Sequence, residues 1–165
     1  MTLKVEHVMR REVLTVAPGE SLYVANRLMS LGDLRHLPVV SENAVVGMLT
    51  HGDILRAPER LAPIREQGQD TRAALRRLRV QEAMSRTVVT IGPHTSVNEA
   101  VEHLLRHGVQ CLPVMEDGRL VGLFTESDLL RAIAWPRDGT SDPRAPVSPA
   151  PRRMAPGPLT LEASS

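Results

Sequence analysis

The segments GMLTHGD (Gly47 to Asp53) and GLFTESD (Gly122 to Asp128) each place a threonine three residues ahead of an aspartate, behind a glycine and two apolar residues. Two kinds of chemistry suit that spacing. A threonine at a helix N-cap accepts from the amide three residues on, while an acidic side chain at that position reaches back and favours the positive end of the helix dipole. The same helix start, with free amides beside a glycine that lets backbone approach closely, is also a natural place for a phosphate. An aspartate repels a phosphate but accepts well from a ribose diol, as acidic residues do in dinucleotide folds. Thr50 and Thr125 are therefore candidates for phosphate contacts, and Asp53 and Asp128 for ribose contacts.

The second copy follows the first at an offset of 75 residues, and the correspondence runs well beyond the motif: VEHVMRREVLTVAPGES aligns with VQEAMSRTVVTIGPHTS, HLPVV with CLPVM, VVGMLTHGDILRA with LVGLFTESDLLRA. From Val5 to Ala57, 18 of 53 ungapped positions are identical, where average composition gives roughly 3 by chance. The chain carries two homologous modules.

Each module reads as β-α-β-β-α. Val13 to Val16 is a β-branched run ended by Pro18, and Ser21 offers an N-cap for a helix with Leu22, Ala25, Leu28 and Met29 on one side. LPVV and AVVGML flank SEN, and LPVM and LVGLF flank EDG, which predicts two strands joined by a tight turn, with Asp117-Gly118 the stronger signal. Thr50 and Thr125 then open a second, short helix. A module of about fifty residues is too small for comfortable stability alone, so the pair is expected to share a core.

This order, with Leu-Pro entering a strand and Gly-hydrophobic-hydrophobic-Thr-x-x-Asp behind it, twice in tandem, resembles a pair of CBS domains, the Bateman module, over Val5 to Ala57 and Val80 to Ala132. The resemblance implies an α/β (α+β sandwich) fold of two modules packed about a pseudo-twofold axis, clefts between them that bind adenosine-containing ligands (AMP, ADP, ATP or S-adenosylmethionine), and flat homodimers. It also implies that the Thr and Asp of one module meet the loop and strand entry of the other. One cleft would use Thr125 and Asp128 with Arg11, Leu34, Arg35 and His36, the other Thr50 and Asp53 with Arg86, Val109, Gln110 and Cys111. The base would lie against backbone and the apolar Leu34, Val109, Met48 and Leu123. Arg11 and Arg86, at equivalent positions, are either phosphate ligands or solvated surface arginines. Glu126 adds an acid where the first module has His51 and Gly52, so a polyphosphate is expected to prefer the cleft of Thr50 and Asp53 unless magnesium offsets Glu126.

The implied division is module 1 over 1–57, a linker over 58–79, module 2 over 80–135 and a tail over 136–165. In the linker, APERLAP is predicted extended and DTRAALRRLRV helical, capped by Asp70, with Arg72, Arg76, Arg77 and Arg79 along it. These arginines are read as reaching acidic groups of the protein itself or of a dimer partner, with nucleic acid as the alternative. The tail, with seven prolines, is expected to be disordered or loosely bound.

Composition closes off other classes. A net charge of +1 argues against a dominant nucleic-acid or membrane footprint. Tyr23, Phe124 and Trp135 are too few for a base-stacking platform. Cys111, the single cysteine, rules out an internal disulfide and lacks a recognisable histidine and carboxylate to make it a nucleophile. His103, His107 and Glu99 share a helix face, but the stripe Val97, Ala100, Val101, Leu104 turns that face to solvent, and no metal site is expected. No GxxxxGK[ST], GxSxG or HExxH occurs, so no enzyme is expected. MTLKVEHVMRREV has no apolar stretch long enough for a signal peptide, and no run reaches the roughly 18 residues that span a bilayer, which predicts a cytoplasmic protein. Three readings follow: a nucleotide sensor acting on a separate enzyme or transporter, a ligand-free scaffold, or a transcription-associated protein using its arginine helix.

Overall fold

The computed structural model describes residues 2–61 and 70–134; the expectations for Trp135, for the tail and for residues 62–69 of the linker lie outside them. The elements in chain order are a 3-10 turn (Val5–His7), α1 (Leu22–Gly32), β1 (His36–Ser41), β2 (Ala44–Thr50), α2 (His51–Leu61), α3 (Thr71–Arg77), α4 (Val80–Ala83), α5 (Val97–His107), β3 (Cys111–Glu116), β4 (Arg119–Thr125) and α6 (Glu126–Ala134). The fold is α+β, with two separate antiparallel hairpins, β1-β2 and β3-β4.

Local chemistry accounts for most of these elements. The Ser21 and Ser96 hydroxyls accept from Val24 and Glu99 amides, both at 3.2 Å, and start α1 and α5. The apolar stripes then face inward, with Leu22, Ala25 and Met29 buried on α1 and Val97, Ala100 and Leu104 on α5. Both hairpins turn on two residues with positive φ, Glu42-Asn43 (49° and 69°) and Asp117-Gly118 (49° and 75°), the backbone that matches the twist of the flanking strands.

The first strand of each module shrinks to one residue. Val16 donates to the Pro38 carbonyl (3.1 Å) and accepts from the Val40 amide (2.9 Å), a single parallel bridge to Val39. Extending that ladder one step either way needs an amide at Pro18 or Pro38, and proline has none. Pro93 and Pro113 stop the equivalent Ile91–Val114 bridge in the same way. The linker differs too. Rather than turning extended at Ala57, α2 runs through Pro58 to Leu61, and Ala57 is buried in the first core beside Leu75 and Leu78. Asp70 does cap α3, its carboxylate accepting from the Arg72 amide at 2.9 Å. Arg72 and Arg76 stack on the Tyr23 ring, at 5.1 and 4.4 Å from its centroid, so among the described residues these two cations meet an aromatic face of α1 rather than an acid.

The modules are joined by exchanged arms. The segment before the first module lies on the second: Val5 donates to the Thr95 carbonyl (2.9 Å), and Arg10 and Leu123 exchange both backbone hydrogen bonds (3.0 and 2.9 Å). Val5 and Met9 are buried there with Ile91, Leu112 and Phe124. Reciprocally, Val80 donates to the Glu20 carbonyl (2.8 Å), Met48 and Ser85 exchange both bonds (2.9 Å each), and Val80, Ala83 and Met84 enter the first core with Leu22, Leu37 and Leu49. At roughly 1.5–3 kcal/mol for each fully buried apolar side chain, one arm contributes a large share of the roughly 5–15 kcal/mol that holds a domain together. Between the two cores, Met48, Cys111 and Leu123 form a third, central cluster.

The motif glycines make this crossing possible. A Cβ on Gly47 would lie 2.6 Å from the Met84 sulfur and 2.8 Å from the Ser85 carbonyl oxygen, and on Gly122 2.5 Å from the Met9 sulfur and 3.0 Å from the Arg10 carbonyl oxygen. The methionine can swing aside, but the carbonyl belongs to the paired bonds. Gly47→Ala is expected to lower unfolding stability by about 1–3 kcal/mol in urea titration, while Gly19→Ala, with nothing within 4 Å of its Cβ, stays within about 0.5 kcal/mol. Equal midpoints for the two variants would mean that the arm does not sit this close.

Candidate functional site

Both Thr-x-x-Asp motifs are capping boxes. The Thr50 hydroxyl accepts from the Asp53 amide (3.1 Å) and donates to Asp53 Oδ2 (2.7 Å), which also accepts from the Thr50 amide (2.9 Å). Thr125 and Asp128 repeat the set at 3.4, 2.7 and 3.0 Å. The first amide of each helix is taken as well, His51 by the Arg35 carbonyl (2.9 Å) and Glu126 by the Gln110 carbonyl (3.4 Å). Little of either helix N-terminus remains for a phosphate, and the open side of each glycine holds a methionine. The strong donors left at the motifs are guanidinium groups.

These guanidiniums set the two aspartates apart. Asp53 Oδ1 meets Arg56 Nη2 at 3.0 Å, with the Asp53 side chain 17% exposed. Asp128 Oδ1 meets both Arg131 Nη1 (3.0 Å) and Arg10 Nε (3.4 Å), with its side chain 1% exposed. Asp53 can still accept from a ribose. Asp128 has its oxygens committed and is walled off.

Two clefts lie between the modules. The first, of about 290 Å³, is walled on one side by Met48, Thr50, Asp53 and Arg56, and on the other by Ser85, Thr87, Val89 and the turn from Gly108 to Cys111. The second, of about 470 Å³, sets Leu123, Thr125, Glu126, Ser127 and Arg131 against Arg10 and the turn from Asp33 to His36. Each therefore takes its motif from one module and its facing turn from the other. His36 and Gln110 line both clefts, so one wall is shared.

Of the residues named from sequence, Met48, Thr50, Asp53, Val109, Gln110 and Cys111 come together at the first cleft, and Leu34, Arg35, His36, Leu123 and Thr125 at the second. Asp128 lies behind its arginines. Arg11 and Arg86 line neither cleft: each turns back along its own arm, onto the Glu6 carbonyl (3.1 Å) and the Gln81 carbonyl (3.5 Å). The reason is alternation. Arg10 pairs with Leu123 through extended backbone, so the next side chain leaves on the opposite side. Arg10, Arg56 and Arg131 were not read as site residues from sequence. The identical Leu-Arg-Ala at 55–57 and 130–132 is a signal for the last two, whereas nothing local marks Arg10 over Arg11.

Burial also sets the protonation states. It pushes the Cys111 thiol up, the nearby Asp128 charge adding to the effect, so this cysteine is a neutral apolar wall. His36 is half-buried, and desolvation holds its imidazole below the usual 6.5, with Arg35 acting in the same direction and Gln110, Glu126 and Asp53 opposing. A base whose folded pKa is depressed binds its proton first in the unfolded chain, so stability falls as pH drops below about 6.5. Urea midpoints at pH 7.5 and 5.5 are expected to differ less for His36→Asn than for the parent; an equal difference would show that His36 is not held neutral.

The comparisons with known proteins agree with this architecture. A family model described as CBS domain matches twice, at residues 5–60 and 80–134. The CBS domain-containing protein YhcV of Bacillus subtilis is 31% identical over 126 residues, covering 76% of this chain and 81% of that one. Protein MJ1225 of Methanocaldococcus jannaschii superposes with a TM-score of 0.71 at 26% identity, over 80% of this chain and 48% of that one. The CBS domain pair of protein MJ0100, solved in complex with 5-methylthioadenosine and S-adenosyl-L-methionine, superposes at 0.67 with 23% identity, over 81% and 98%. The chain spans only 24% to 47% of the length of the first curated relatives it matches. Two family matches in tandem, two equivalent hairpin-helix cores and two inter-module clefts identify this chain as a member of the CBS domain family, built as a CBS pair.

Proposed function

We propose that this chain is a regulatory module that binds an adenosine-containing ligand between its CBS domains and passes the event on as a change in their packing. The observation that carries the reading is the composite wall of each cleft, which ties both modules to anything bound there. A ligand can shift an equilibrium only by its differential affinity for the two states, and one that touches both modules has the means to favour one packing over another. The methylthioadenosine and S-adenosylmethionine held by the MJ0100 pair support adenosine as the shared part of the ligand. In the first cleft the base would rest on Met48, Val89, Val109 and Cys111, with Asp53 accepting from the ribose.

In this reading the chain's role is regulatory, and the activity it regulates is that of an enzyme or a transporter inside the cell. A second copy is the expected assembly. Leu55 and Leu130, equivalent residues of α2 and α6, are 64% and 65% exposed, and Ile133 67%. A repeated apolar pair of this kind suits an isologous contact. Among the described residues no helix is long and apolar enough to cross a membrane.

Calorimetric titration with AMP, ATP, S-adenosylmethionine and GTP, with and without magnesium, tests the reading. An adenosine ligand is expected to bind with micromolar affinity, on the order of −8 kcal/mol, and more tightly than GTP. Asp53→Asn, which keeps an acceptor for the Thr50 cap, is expected to weaken binding at the first cleft roughly tenfold. Absence of heat and of thermal stabilisation with every nucleotide would favour the scaffold reading, for which the completed capping boxes already give Thr-x-x-Asp a sufficient role.

A further inference from the structure

The two clefts occupy equivalent places in the repeat, yet their side chains differ at the positions that face a ligand. Arg10 and Arg35 in the second cleft correspond, at the 75-residue offset, to Ser85 and Gln110 in the first, whereas Arg131 corresponds to Arg56. The second cleft therefore has three guanidiniums where the first has one. We infer that the clefts are tuned to different ligand tails: the cleft of Thr125 takes the polyphosphate of an adenosine di- or triphosphate on Arg10, Arg35 and Arg131, and the cleft of Thr50 takes an adenosine ligand with a short or weakly charged tail. This deepens the adenosine-binding reading and rests on it.

Three observations support the division. Arg10 and Arg131 share one oxygen of a single buried carboxylate, Asp128, at 3.4 and 3.0 Å. A guanidinium has five N–H donors, so two of them on one oxygen leave most donors for an incoming anion. Their side chains are 36% and 43% exposed, open to that anion, while Asp128 is not. Volume points the same way. The second cleft offers about 470 Å³ against about 290 Å³ for the first, so the larger space is the one lined by the three arginines.

The acids must be counted as well. Asp33 and Glu126 also line the second cleft, and both are solvent-exposed, where water and salt screen them. Glu126 taken alone predicts the opposite preference. The arm exchange reverses it, because Arg10 arrives from the far end of the other module and sequence spacing gives no hint of its presence. Bidentate arginine contacts to phosphate oxygens also gain more from geometry than an exposed carboxylate at the rim removes.

The experiment is a titration of ATP, AMP, adenosine and sodium triphosphate into the parent protein, Arg35→Gln and Arg10→Ser, the last two installing the residue that the repeat places on the other side. Arg35 is exposed and forms no ion pair among the described residues, so Arg35→Gln tests the charge without disturbing Asp128. Each substitution is expected to weaken ATP roughly tenfold while changing adenosine less than about twofold, and sodium triphosphate is expected to compete with ATP but not with adenosine. Unchanged ATP affinity in both variants, with adenosine still bound, would overturn the division of ligands and leave the adenosine reading intact. Failure of every adenosine compound to bind would overturn both. Equal weakening of adenosine and ATP would mean that the arginines shape the cleft and do not read the tail.

Discussion

Everything in this molecule depends on two close backbone crossings. At each, an arm from one module lies against the glycine strand of the other, held by a reciprocal pair of hydrogen bonds and seated because the glycine has no Cβ. The crossings carry Met9 and Met84 into foreign cores, so neither module completes its own interior. They also bring residues 10 and 85 to the opposite motif, so each cleft is finished by a residue from the other end of the chain. Stability and the ligand walls thus have a common origin. The glycine that sequence offered as a place for a phosphate is used by the protein for itself.

The second consequence is functional asymmetry inside a near-symmetric frame. The capping boxes, the contact of each motif aspartate with the arginine three residues on, and the hairpins recur in both halves, since they hold the modules in shape. Side chains on the cleft walls have diverged between the halves: Arg10 and Ser85, Arg35 and Gln110, His36 and Cys111. Equivalent backbones therefore present different charge and polarity to a ligand. The wall shared through His36 and Gln110 sets the two clefts side by side.

How much of this was legible depends on the range of the interaction. The repeat, the caps at Ser21, Ser96 and Asp70, and the hairpin turns were readable because each rests on residues a few positions apart. The one-residue first strands were not anticipated, since their limit is set by prolines on both partners of a parallel bridge, and the second proline matters only once the pairing is known. The continuation of α2 through Pro58 rests on burial of Ala57, a tertiary effect that outweighs a local breaker. At the site, most candidates came together because the family pattern pairs motif and turn across modules. Arg10 escaped notice because its neighbour Arg11 is the one the repeat keeps, and only the crossing at Leu123 decides which of the two faces the cleft.

The central claim is that a bound ligand ties the modules together through walls drawn from both. Amide hydrogen exchange of the full chain, with and without a saturating adenosine ligand, addresses it most directly. Occupied clefts predict slowed exchange on both sides at once, in the turn before β1 together with the start of α6, or in the turn before β3 together with the start of α2. Slowing confined to the elements of a single module, with the facing turn unchanged, would contradict it.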